Sequence, residues 1–149
     1  MLKRVMVLGL LGVLAVGLRA APSEAMKAVV TAYLDIQTQL AGDTMETVPA
    51  RAHTIGEHAA QMGQPGSALA VAAAEVEKAK DIKAAREAFG ALSDAVIAAA
   101  KADGGADVKD LKLAYCPMAK RSWLQAQETV QNPYYGKAMY SCGEIRKLQ

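Results

Sequence analysis

"LKLAYCPMAKRSWLQAQ", residues 111 to 127, decides the fold class of this chain, because the pattern before it is helical and the sequence after it is full of breakers. Leu111, Leu113 and Tyr115 alternate with Lys112 and Ala114, the period of a short extended segment. "KRSWLQAQ", from Lys120 to Gln127, suits a short helix instead. Pro117, Pro133, Gly136 and Gly143 then interrupt the chain too often for a long helix. Residues 107 to 149 therefore read as an irregular C-terminal lobe, with Trp123 as the apolar anchor that holds it on the rest.

Upstream, helical stripes dominate. Met26, Val29, Tyr33, Ile36 and Leu40 recur at spacings of three and four, which predicts one buried helix face ending at Gly42. Thr47, with Pro49 in the first turn, starts a second helix with the stripe Val48, Ala52, Ile55, Ala59, Met62. "GQPG", residues 63 to 66, breaks it. Leu69, Ala72, Val76 and Ala79 mark a third helix, and Asp81 is an N-cap for a fourth carrying Ile82, Ala85, Phe89, Leu92, Val96 and Ala99. Short connections favour antiparallel neighbours, so the expected fold is all-α: an up-and-down bundle of about four helices over residues 23 to 102, bearing the irregular lobe.

The N-terminus has the layout of a secretory signal peptide over residues 1 to 21. Lys3 and Arg4 precede an apolar run from Val5 to Leu18, with small residues at Ala20 and Ala21. That run is shorter than the roughly 18 to 20 residues that span a bilayer, so no membrane association is expected once it is cleaved. Cleavage removes Lys3, Arg4 and Arg19 and no acid, leaving a nearly neutral chain with no electrostatic footprint for nucleic acid. Residues 22 to 149 suffice for one domain, expected in the periplasm. No nucleophile elbow, zinc-protease helix or phosphate-cradling glycine loop occurs, so no enzymatic activity is expected.

Both cysteines of the chain lie in the lobe, each close to a methionine: Cys116 with Met118 and Met139 with Cys142. Thiolates and thioethers select soft metals, so these four sulfurs form a candidate Cu(I) site. On an extended segment the Cys116 and Met118 side chains share one side, and Met139 and Cys142 lie on nearby faces of one turn. The competing reading is a disulfide, chemically permitted after export, that staples an aromatic-rich lobe for docking a protein. A third is a thiol redox pair. Elsewhere, His53 pairs with Glu57 one turn away as a solvated face, while His58 borders the core beside Met62.

Several words of the sequence resemble a known family: "AYLDIQTQLAGD" (32 to 43), "AAREAFGALSDAVIAAAK" (84 to 101), "AYCPM" (114 to 118), "SWLQ" (122 to 125), "NPYYG" (132 to 136) and "CGE" (142 to 144). They are similar to a domain of unknown function found alone in exported bacterial proteins. The same domain is appended to periplasmic adaptor subunits of Cus-type copper and silver efflux pumps. The resemblance implies a helical periplasmic domain engaged in heavy-metal handling, with a periplasmic efflux component as partner. It points to Cys116, Met118, Met139 and Cys142 as copper ligands, and to neither histidine. The adaptor's barrel and hairpin regions have no counterpart here.

Overall fold

The computed structural model describes residues 24–105 and 108–147; the expected signal peptide lies outside the described residues. Four helices, α1 Glu24–Ala41, α2 Val48–Gln61, α3 Ser67–Glu77 and α4 Ile82–Ala102, pack in sequence order, each against the next. The stripes read from the sequence are the buried faces: Met26, Val29, Tyr33, Ile36 and Leu40 of α1 are wholly inaccessible, as are Val48, Ala52, Ile55 and Ala59 of α2. Helices α3 and α4 are distinct. Asp81 caps α4 by accepting a 2.8 Å hydrogen bond from the Ala84 N–H, satisfying a donor that the helix itself leaves unpaired.

The all-α expectation fails in the lobe. Lys112–Cys116 (β1), Arg121–Gln125 (β2) and Glu144–Arg146 (β3) form an antiparallel sheet of order β2-β1-β3, so the fold is mixed helix and sheet. Turns and loops still link these short strands, and "RSWLQ", residues 121 to 125, is strand where a short helix was expected. Trp123, Leu124 and Gln125 are all buried, because one face of β2 meets the helices and the other the lobe interior. A strand buried on both faces shows no alternation, which removes the signal that marks a half-buried strand. β3 is exposed at every position and carries no apolar pattern at all.

β2 is an edge strand, and its outer side is closed by hydroxyl groups from the bundle. The Leu124 N–H donates to Tyr33 Oη at 3.0 Å, and the Tyr33 hydroxyl donates to Ser93 Oγ at 2.7 Å. Ser93 Oγ and Tyr134 Oη in turn donate to the Ser122 carbonyl at 3.0 and 2.8 Å. Burial pushes the Tyr33 phenol well above its ordinary range, which keeps it a proton donor. Around this network Tyr33 stacks on Phe89, Phe89 tilts against Tyr134, and Tyr134 meets Trp123 edge-on, with centroid separations of 5.2, 5.7 and 5.8 Å. Trp123 is the lobe's buried anchor, as its sequence position suggested.

A second tie is ionic. Arg86 of α4 donates Nε–H to the Pro133 carbonyl at 3.0 Å and Nη2–H to the Leu40 carbonyl at 2.7 Å, and pairs with Asp43. Asp43 also accepts from the Lys137 N–H at 3.2 Å. The hydrogen bond from Arg86 holds the Asp43 carboxyl below its ordinary value, with the Lys137 N–H helping against partial burial. A depressed folded-state pKa contributes stability that is present above the unfolded carboxyl value and is lost as acid protonates the folded group. Asp43→Asn is therefore expected to destabilise the protein at neutral pH, with the difference from the parent vanishing towards about pH 2. Urea midpoints at both pH values check this; an equal difference at both would contradict it.

Candidate functional site

The tertiary structure brings the two cysteines together. Cys116, the last residue of β1, is wholly buried, and Cys142, two residues before β3, is half-buried. Both are free thiols, and their sulfurs stand 3.8 Å apart. The β1–β3 register creates this meeting. Tyr115 pairs with Glu144, and one step further places Cys116 opposite Gly143, the neighbour of Cys142.

The surroundings differ for the two thiols. The Ala119 N–H donates to Cys116 Sγ at 3.4 Å from the Pro117–Lys120 turn. Burial pushes the Cys116 thiol up, but the hydrogen bonds it receives from Ala119, Asn132, Cys142 and Met118 outweigh burial and leave it below its ordinary value. Burial raises the Cys142 thiol, and the neighbouring Cys116 raises it further. Asn132, buried and immediately before Pro133, organises the opposite wall: its Nδ2 donates to the Cys142 carbonyl at 2.7 Å, and its Oδ1 accepts from the Tyr134 and Tyr135 N–H groups. Gln125 fixes the loop leading there by accepting from Trp123 Nε1 and the Gln131 N–H and donating to the Gln127 and Thr129 carbonyls.

The methionines stand differently. β1 ends at Cys116 and the chain turns at Pro117, so Met118 does not share a strand face with Cys116 but sits on the turn with 62% of its surface exposed. Met139 is half-buried at the end of the 3-10 turn Gly136–Met139, and its carbonyl accepts the Cys142 N–H at 3.0 Å. Among the described residues no three His, Cys, Asp or Glu side chains converge as a metal site. A metal held by both thiolates would thus draw its third ligand from methionine sulfur or from outside the chain.

The histidines lie apart from the cysteines in use. His53 is exposed, with Nδ1 3.0 Å from Glu77 and Nε2 3.7 Å from Glu57, so the pairing expected with Glu57 is joined by one to α3. His58 has a buried Nδ1 without a hydrogen-bond partner among the described residues. A cavity of about 500 Å³ opens between α4 and the lobe, walled by Lys83, Arg86, Glu87, Arg121, Tyr134 and Tyr135. Its charges are balanced, with Arg86 on Asp43, Arg121 on Asp94 at 3.0 Å, and Glu87 one turn from Lys83.

Sequence reading missed the residues that shape the site. Asn132 carried a usable signal, since Asn before Pro initiates turns and an Asx side chain bonds the backbone two residues on. Gln125, Arg86 and Asp43 had none, because their partners lie far along the chain.

Fold and site together define a four-helix platform carrying a small antiparallel sheet with a dithiol at its edge. The chain matches no protein-family model, and no curated protein and no solved structure is similar to it. No helix among the described residues is long and apolar enough to cross a membrane.

Proposed function

We propose that this protein is a periplasmic binding protein for a soft metal, foremost Cu(I), serving heavy-metal efflux or homeostasis. The observation that carries the reading is the 3.8 Å separation of two free cysteine sulfurs. Two metal–sulfur bonds of about 2.3 Å, set at the angles of a three- or four-coordinate ion, place their sulfurs about 3.8–4.0 Å apart. Thiolate with thioether selects Cu(I) over harder ions, and Met139 or the exposed Met118 supplies the thioether. The Ala119 N–H, which donates to Cys116 Sγ, would orient that sulfur as a ligand. Lys120, Arg121 and Lys137 are near in sequence to offset the negative charge that two thiolates and one Cu(I) leave. The resemblance of "AYCPM" and "CGE" to the efflux-associated domain supports the same assignment.

The test is Cu(I) titration of reduced protein against a chromogenic chelator, followed by X-ray absorption. One Cu(I) per chain in a shell of sulfur alone is expected. No binding by the reduced protein, or a shell without sulfur, would overturn the reading. The second reading, a non-metal docking module with Cys116 and Cys142 bridged, rests on the contact between the same two sulfurs. Free-thiol counting on protein isolated from the periplasm separates the two, because a fully oxidised pair resistant to mild reductant favours the docking module.

A further inference from the structure

A metal ligand pair needs only two sulfurs at the right distance, yet these two differ in a way that metal binding does not require. Cys116 is inaccessible, fixed at the end of a central strand, and its sulfur accepts a backbone N–H. Cys142 is partly open to solvent, in the short segment between the 3-10 turn and β3. One thiol is reachable by an outside reagent and the other is reachable only by its neighbour.

We propose that Cys142 and Cys116 form a thiol–disulfide exchange centre whose substrate is a small disulfide of the oxidised-glutathione class, and that closure of the pair switches off metal binding. The last clause rests on the copper reading; the exchange itself does not. In the first step the Cys142 thiol gives its proton to solvent and its sulfur attacks one sulfur of the reagent. An S–S bond forms between Cys142 and that half, the reagent's own S–S bond breaks, and one thiol leaves. In the second step the Cys116 thiolate attacks the Cys142 sulfur, forming the internal disulfide and expelling the second reagent thiol. The chain loses two electrons and two protons, and the reagent disulfide gains both to become two thiols.

Geometry supports each step. Attack by Cys142, the half-buried member of the pair, is the sterically open first step, since Cys116 has no accessible surface. The Ala119 N–H holds the Cys116 sulfur in place facing Cys142, the sulfur it must attack in the second step. Closure brings the sulfurs from 3.8 Å to a disulfide bond of about 2.05 Å. Cys142 provides the movement, because it precedes a short strand whose three residues are all exposed. Once bridged, neither sulfur has a thiolate left to give a metal, so the chain binds Cu(I) only when reduced.

The single-cysteine variants test the order of events. Reduced protein is exposed to oxidised glutathione and read by intact mass. Cys116→Ser is expected to accumulate a stable mixed disulfide at Cys142, at least about tenfold faster than Cys142→Ser becomes modified at Cys116. The parent chain is expected to pass to the internal disulfide, reversibly on adding reduced glutathione. Equal rates for the two variants, or a parent chain that stays reduced in native buffer while oxidising in urea, would overturn the proposal. Parallel Cu(I) titration of the reduced and bridged forms reads the switch. Retention of Cu(I) by the bridged form would sink the switch alone, and absence of Cu(I) binding in both would count against the copper reading while leaving the exchange result standing.

Discussion

Reduced protein carrying both Cys116→Ser and Cys142→Ser is expected to lose Cu(I) affinity by on the order of a thousandfold or more. Outer-shell changes around a metal already cost about 10- to 100-fold, and this substitution removes the two anionic ligands themselves. A hydroxyl is neither soft nor ionised near neutrality, and an unchanged far-ultraviolet dichroism spectrum of the variant separates loss of ligation from unfolding at the buried Cys116. Met118→Leu and Met139→Leu are expected to cost far less, because a neutral thioether contributes less than a thiolate and each methionine has the other as a substitute. Affinity in the parent should rise with pH, since binding displaces the thiol protons, and that pH dependence should vanish in the double variant. Competition titrations with a Cu(I) chelator across pH measure all of these. Undiminished affinity in the double variant would remove Cys116 and Cys142 as ligands.

Gly136→Ala is expected to destabilise the protein by about 3–5 kcal/mol and to loosen the lobe from the bundle. Gly136 is buried with φ 57°, the left-handed region where an L side chain is strained by about 1–2 kcal/mol. Its missing Cβ leaves the space in which Asp43 and Arg86 meet, and a methyl group there would overlap Asp43 Oδ1 and Arg86 Nη2. The ion pair must then shift. With it go the hydrogen bonds by which Arg86 ties α1 to Pro133 and the lobe. Overpacking of this kind costs about 1–3 kcal/mol, and the lost ties add to it. Against the 5–15 kcal/mol typical of a whole domain, the effect is large. Urea unfolding gives the magnitude, and near-ultraviolet dichroism of Trp123 reports the lobe. A change below about 1 kcal/mol would contradict the role given to the Gly136 space.

How much was legible in the sequence depended on how far apart the cooperating residues lie. The helices were legible because their signal is local: Met26 to Leu40 repeat at three and four, and Asp81 caps the helix that begins at the next residue. The sheet was not, because β2 is buried on both faces and β3 on neither, so neither shows the alternation that Leu111 to Tyr115 shows. A strand of three exposed residues exists only because β1 is already there to pair with it, in the register Ala114 opposite Ile145. The expected sharing of one side by Cys116 and Met118 also failed for a local reason with a tertiary cause, since the strand ends where it must turn to bring β2 under the helices.

By itself the sequence determined the amphipathic helical stripes of the bundle and the gathering of all cysteine into one C-terminal stretch, while the break between α3 and α4 was open until the structure showed it. Only the tertiary structure decided that this stretch is a sheet and that Cys116 and Cys142, 26 positions apart, hold their sulfurs 3.8 Å from each other. Helix periodicity is written in neighbouring residues, whereas strand pairing and the meeting of two thiols depend on contacts between residues far apart in the chain, such as those of β2 with Tyr33 and Ser93 and of Arg86 with Asp43 and Pro133.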